Sequence, residues 1–172
     1  DLNSWSPNSN YGYSAFLPLR TFGYKRPVLR FSLASLPANA VIQRAILRVR
    51  TVGATASAMQ VDVVGLARPW AEYRTNWLQA ANGEPWTNPG ASAIGADRLG
   101  ESAANALVSG GDKWWEWDIT SLVQRWADGS LANHGVMLLA SQTNKHAEVS
   151  IASKEYSWPA QLVVEYTLRS PR

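Results

Sequence analysis

The sequence predicts an all-β chain: a jelly-roll β-sandwich of about eight or nine antiparallel strands, with one short helix near 120–127. Three observations carry that expectation. Short stretches alternate apolar and polar residues with period two. Clusters of Gly, Pro, Asn and Ser separate them. The chain has 172 residues, 46% hydrophobic and 17% charged, which suits one well-cored domain over 1–172 and is too apolar for a disordered segment.

The elements follow in order. Strands are expected at 14–21 (SAFLPLRT) and 28–33 (VLRFSL). In 41–50 (VIQRAILRVR), Ala45, Leu47 and Val49 fall on one face and Arg44, Ile46, Arg48 and Arg50 on the other, the pattern of a half-buried strand. Further strands are expected at 59–66, 113–119, 135–141, 146–152 and 161–168. The helix at 120–127 (TSLVQRWA) has Asp118 or Thr120 to cap it and an apolar stripe of Leu122, Val123 and Trp126; Asp128-Gly129 ends it. The span 78–112 is rich in Gly, Ala, Asn and Ser and poor in β-branched residues, so it reads as a structured loop with one short strand.

Composition excludes several functions. No apolar run reaches the roughly 18 to 20 residues needed to cross a bilayer, and no charged-then-apolar leader stands at the front, so membrane insertion is not expected. The chain opens at Asp1 rather than Met, as a cleaved product or an excised segment would, and both readings point to export. Absence of Cys removes disulfides, thiolate metal sites and cysteine nucleophiles. A net charge of +3 is too balanced to indicate nucleic-acid binding. The distribution is less even: residues 1–86 hold nine Lys/Arg against four acids. That asymmetry fits an anionic ligand, copies that dock on each other, or simply solvated faces.

The runs VLRFSLASLP (28–37), AILRV (45–49), RPWAEYRTNW (68–77), WEWDITSLVQRWADG (115–129), HGVMLLAS (134–141) and ASKEYSWPAQLVVEYT (152–167) together resemble the DNRLRE domain, a family that overlaps the disaggregatase-related repeat and a class of carbohydrate-binding module. The resemblance implies an extracellular jelly roll, secreted or at the cell surface, without catalysis of its own. Two departures stand out. Ser32 occupies a position where the family often has Asp. The family's first strand, an Asp-Thr-Tyr-like segment, is almost entirely missing, since SWSPNSNYG begins at residue 4. A sandwich lacking that strand would expose an unpaired edge, which a neighbour could fill.

Enzyme motifs are absent: there is no HExxH, GxSxG, P-loop or GxGxxG. His134 and His146 stand on separate expected strands, and Glu116 and Asp118 share a strand face, with Asp118 better explained as a cap. Nine Trp point instead to sugar stacking, or to a Trp-rich core. Trp70, Trp77, Trp117 and Trp126 lie in periodic segments and read as core. Trp5, Trp86, Trp114 and Trp158 lie beside turn residues or Lys and read as surface candidates. Trp86 leads them, in GEPWTNPG near Asp97 and Arg98, with a loop-anchoring role as the competing reading.

Arg44, Arg48 and Arg50, with Arg30 nearby, set guanidinium groups about 7 Å apart on alternate residues. Uronic-acid polymers carry carboxylates at comparable intervals, and Arg binds carboxylate bidentately. Cross-strand pairing with Glu165 or Glu148 is the competing reading. Jelly-roll modules often hold a structural Ca²⁺; here Asp97, Glu101, Asp112 and Asp128 are scattered, which leaves that cofactor open. Two functions therefore stand: a non-catalytic module binding a polysaccharide, acidic on the Arg argument, or a structural subunit of a surface layer, fibre or adhesin whose copies exchange a strand. In the second, the slack tail LRSPR (168–172) would bridge to another copy or a neighbouring domain.

Overall fold

A computed structural model describes residues 1–53, 57–141 and 145–169. Two antiparallel sheets face each other, as the alternation requires. The larger is built from β1 (Leu2–Asn3), β2 (Phe16–Arg20), β3 (Lys25–Arg26), β5 (Ala40–Val52), β10 (Lys113–Asp118), β12 (Glu148–Ala152) and β13 (Gln161–Leu168), in the order β1-β3-β2-β12-β5-β10, with β13 also paired to β5. The smaller runs β4 (Val28–Leu29), β11 (Val136–Ala140), β6 (Met59–Leu66) and β9 (Arg98–Val108). A small hairpin, β7 (Gln79–Ala81) and β8 (Glu84–Pro85), stands apart. Eight of these strands have five or more residues: β2, β5, β6 and β9 to β13.

The core lies between the sheets. Ala45, Leu47 and Val49 of β5 meet Met59, Val61 and Val63 of β6 and Val136 and Leu138 of β11, all buried. Each of the Leu, Val and Met side chains contributes on the order of 1.5 to 3 kcal/mol of burial. Helix α1 (Thr120–Ala127) closes one end with Leu122, Val123 and Trp126 inward. It is fastened to β5 twice: the Gln124 side-chain oxygen accepts from the Ile42 N–H, and the Thr120 hydroxyl accepts from the Ala45 N–H. Asp118 accepts from both the N–H and the hydroxyl of Thr120, turning the chain from β10 into the helix. A second apolar cluster, with Leu2, Val28, Leu66, Trp70, Trp86 and Met137, lies beneath the 67–97 loops.

At the N-terminus Leu2–Asn3 forms β1, with Leu2 opposite Arg26, Asn3 opposite Lys25, and the Leu2 side chain fully buried. Two expectations need correction. The expected strand 28–33 stops at Leu29, after which residues 30–33 leave the sheet. The span 78–112 contains the eleven-residue β9, paired along β6 from Val108 opposite Met59 to Arg98 opposite Leu66. Its Ala, Ser and Asn residues have weak strand propensity, and pairing with a largely buried neighbour overrides that preference. Of the tail, Ser170 to Arg172 lie outside the described residues.

Gly135 shows how tightly the smaller sheet is drawn together. Its φ is +84°, and a Cβ there would stand 2.2 Å from the Leu29 carbonyl oxygen. Gly129, at φ +76°, has nothing within 4 Å of the same position. Gly135→Ala should therefore lower the melting temperature well beyond Gly129→Ala, which carries backbone strain alone; each kcal/mol lost is worth about 2 to 4 °C in a chain of this length. Equal shifts in a thermal melt would mean that β4 and β11 separate readily.

Candidate functional site

Across 44–50, strand period two puts the odd residues of β5 into the core and the even ones on the outer face of the larger sheet. Register then decides the neighbours. Arg50 lies opposite Trp114, Arg48 lies between Glu116 and Gln161, and Arg44 is opposite Glu165. The Arg48 guanidinium is 5.0 Å from the Trp114 ring centroid and that of Arg50 is 5.6 Å from Trp158. Farther across the same face, Arg20 and Lys25 lie 4.5 and 4.7 Å from the Trp5 ring, and both bind Glu148 at 3.0 Å. Trp5 and Trp158 are 57% and 54% exposed, while Trp114 is half-buried. Phe16 and Tyr156, with centroids 4.9 Å apart, lie between the two groups.

The basic residues here differ in how far they are engaged. Arg48 donates to Glu116 at 2.8 Å and to Gln161 at 3.3 Å. Arg44 is 3.9 Å from Glu165. Glu148 serves Arg20 and Lys25 rather than the β5 arginines. Arg50 has no hydrogen bond or ion pair among the described residues; its guanidinium rests on Trp158 with its N–H groups unclaimed.

Trp86, Asp97 and Arg98 lie elsewhere and do not form a platform. Trp86 is 4% exposed; its ring packs in the second core cluster and its indole N–H donates to the Asn76 carbonyl. Flat, ring-sized apolar surface next to a turn is as useful for anchoring a loop as for stacking a sugar, and the adjacent Asp97 decides the matter here. That carboxylate is fully buried and accepts from the backbone N–H groups of Thr87, Asn88 and Ala93. Burial pushes its carboxyl up, but those three donors and the Thr87 hydroxyl prevail and hold it below the usual carboxylate range. Arg98 is half-buried and donates to the Leu99 carbonyl. Burial, and then the charge of Arg98, bring the Arg26 guanidinium down to about 10.

The scattered acids do not fit a Ca²⁺ site. Asp112 accepts from the Gly53 N–H, Asp128 from the Ser130 N–H, Glu101 binds Arg125, and Asp97 is engaged as above. Among the described residues no three His, Asp or Glu converge. The histidines are also apart: the His134 carbonyl accepts from Trp70, and the His146 ring lies 4.8 Å from Phe22.

Sequence reasoning missed a cleft of about 600 Å³ that opens between the sheets where β12 ends and β13 begins. Asp1, Tyr11, Arg30, Phe31, Trp70 and Lys154 are among its lining. A signal was available, because three of the segments that carry the family resemblance, 28–37, 68–77 and 152–167, all reach this cleft. The segment 153–160 separates it from the outer face, with Lys154 on one side and Trp158 on the other.

Comparison with known families gives a match to the model of carbohydrate-binding module family 96 over residues 3–166. No curated protein matches the chain. Among the described residues no helix is long and apolar enough to cross a membrane.

The loop hub yields two expectations. Trp86→Ala should cost about 3 to 5 kcal/mol of stability, as other large-to-small core changes do. Asp97→Asn should cost about 2 kcal/mol at neutral pH by weakening its charge-assisted bonds. Because the folded carboxyl is depressed, its stabilisation is complete above the unfolded value near ~3.9 and fades as pH falls through the folded value, so the gap between wild type and Asp97→Asn should close below about pH 4. Denaturant titrations at pH 3 and pH 7 check this, and a gap that stays constant would remove Asp97 from the hub.

Proposed function

The chain belongs to carbohydrate-binding module family 96, and from that premise we propose that it is an extracellular module without catalysis of its own that binds an acidic polysaccharide across the outer face of its larger sheet. The observation that carries the reading is Arg50: a guanidinium held on Trp158, opposite Trp114, with no acceptor among the described residues. A planar fork of donors with its stem already positioned is suited to a carboxylate, which it can hold bidentately. Trp158 and Trp5 add exposed ring surface on which the apolar face of a pyranose can rest.

Cations behind the rings serve the same end. Arg20, Lys25, Arg48 and Arg50 each lie over an indole, so part of every ring is occupied by a positive group and the remainder faces outward beside it. A polymer with carboxylates at regular intervals meets alternating ring and cation across the strands, which lie about 4.8 Å apart. A neutral polymer finds the rings alone.

Arg50→Ala and Trp158→Ala should each weaken retention on polygalacturonate about tenfold, the scale of a hydrogen bond to a charged group. Both should leave the melting temperature within about 2 °C, as changes on an exposed face do. Affinity electrophoresis at two salt concentrations reads the result, with binding weaker at the higher one. Unchanged retention in both variants, or equal retention on a neutral β-glucan, would remove the acidic polymer from this face.

A further inference from the structure

Two loops meet outside the sheets, and side chains rather than strand pairing hold them together. Residues 10–13 (NYGY) lie against 72–75 (EYRT). The Asn10 amide donates to the Glu72 and Thr75 carbonyls at 2.8 and 2.7 Å, and its oxygen accepts from the Gly12 N–H. The approach is close enough to require Gly12: a Cβ there would stand 2.7 Å from both the Glu72 carbonyl oxygen and Cδ1 of Tyr73. Tyr13 is thereby stacked on Tyr73, with ring centroids 4.5 Å apart and 24° between the planes. Lys154 donates to the Tyr73 hydroxyl at 2.9 Å and holds Glu72 at 3.0 Å, which fixes the Tyr73 ring from a third segment.

Burial does not account for this pair. Tyr13 is 77% exposed and Tyr73 40%. The remaining tyrosines, Tyr11, Tyr24, Tyr156 and Tyr166, have no second tyrosine ring against them among the described residues; Tyr24 lies beside Trp5 and Phe22, and Tyr156 beside Phe16. A chain without Cys has no disulfide to join its loops, and two phenols in contact offer another covalent route.

We propose that Tyr13 and Tyr73 form an oxidative cross-linking site, coupling to a dityrosine when a haem peroxidase and hydrogen peroxide supply one-electron oxidation. Each phenol gives up one electron and its hydroxyl proton and becomes a phenoxyl radical. The two radicals join through ring carbons ortho to the hydroxyls, forming one carbon–carbon bond. Both ortho hydrogens then leave as protons while protons return to the oxygens, so both phenols are restored and the chain has lost two hydrogens. Hydrogen peroxide takes up the two electrons and two protons and becomes two waters. Stacking supplies the proximity, so coupling within the chain outruns encounter with a second molecule. The bond closes a loop of about sixty residues and locks residues 10–13 at the rim of the cleft, which Tyr11, Gly12, Glu72 and Lys154 line.

Oxidation of the full chain by a haem peroxidase with hydrogen peroxide, read by dityrosine fluorescence, intact mass and peptide mapping, tests the site. Wild type should give a fluorescent monomer lighter by two hydrogens, with peptides joined at Tyr13 and Tyr73. Its melting temperature should rise by roughly 5 to 10 °C, the scale of closing a loop of that length. Tyr13→Phe and Tyr73→Phe keep both rings, so before oxidation each should melt within about 2 °C of wild type, and neither should yield the product. Tyr166→Phe, in β13, should yield it as wild type does. Wild-type yield of intrachain dityrosine in either of the first two variants would overturn the proposal, as would products joined only between molecules or no dityrosine at all. A linkage of Tyr13 to Tyr73 that forms equally well after unfolding in guanidinium would also overturn it, because the fold would then contribute nothing.

Discussion

Strand β5 is the member on which the rest of this structure depends. It is hydrogen-bonded to β10 along one side and to β12 and β13 along the other, and α1 docks on it through Gln124 and Thr120. Because successive side chains must point to opposite faces, the same thirteen residues supply the centre of the core and the centre of the basic outer surface. Slipping the register by one residue would bury Arg48 and Arg50 and expose Leu47 and Val49, a penalty large enough to hold the pairing in place. The bulge between Glu165 and Tyr166, which skips Gln43, adds twist beyond the arginines rather than among them.

Much of this was legible wherever alternation was strong. The β5 pattern places Ala45, Leu47 and Val49 in the core and the arginines outside, and the helix stripe of Leu122, Val123 and Trp126 is buried as its spacing demands. Legibility fails where local composition and tertiary context disagree. In β9 an Ala- and Ser-rich segment becomes a long strand because β6 offers it a partner. At the N-terminus two residues form a strand too short to leave a periodic signal.

The candidate sites divide in the same way. Trp5, Trp114, Trp158, Arg44, Arg48 and Arg50 lie on one sheet face, which alternation alone could bring together for the three arginines. Trp86 and Asp97 are drawn inward by bonds to Asn76, Thr87, Asn88 and Ala93, none of which composition reveals. The expected pairing of the β5 arginines with Glu165 holds for Arg44, while Arg48 turns to Glu116 on the other neighbour. The cleft could not be found from spacing, since its walls come from positions as distant as Asp1 and Ala160.

The segment 153–160 has a consequence for how such a module can diversify. It is secured at its start, where Ser153 bonds the backbone of Ser14 and Ala15, and at its end by the entry into β13. Lys154 and Trp158 therefore owe their positions to the number of residues between two fixed points. Substitutions at Arg44, Arg48 and Arg50 of β5 can alter the surface chemistry one side chain at a time. A single insertion or deletion within 153–160 would displace both flanking surfaces together. Lineages of this fold would then explore new ligands gradually by replacement on the sheet and abruptly by length change in this one connection.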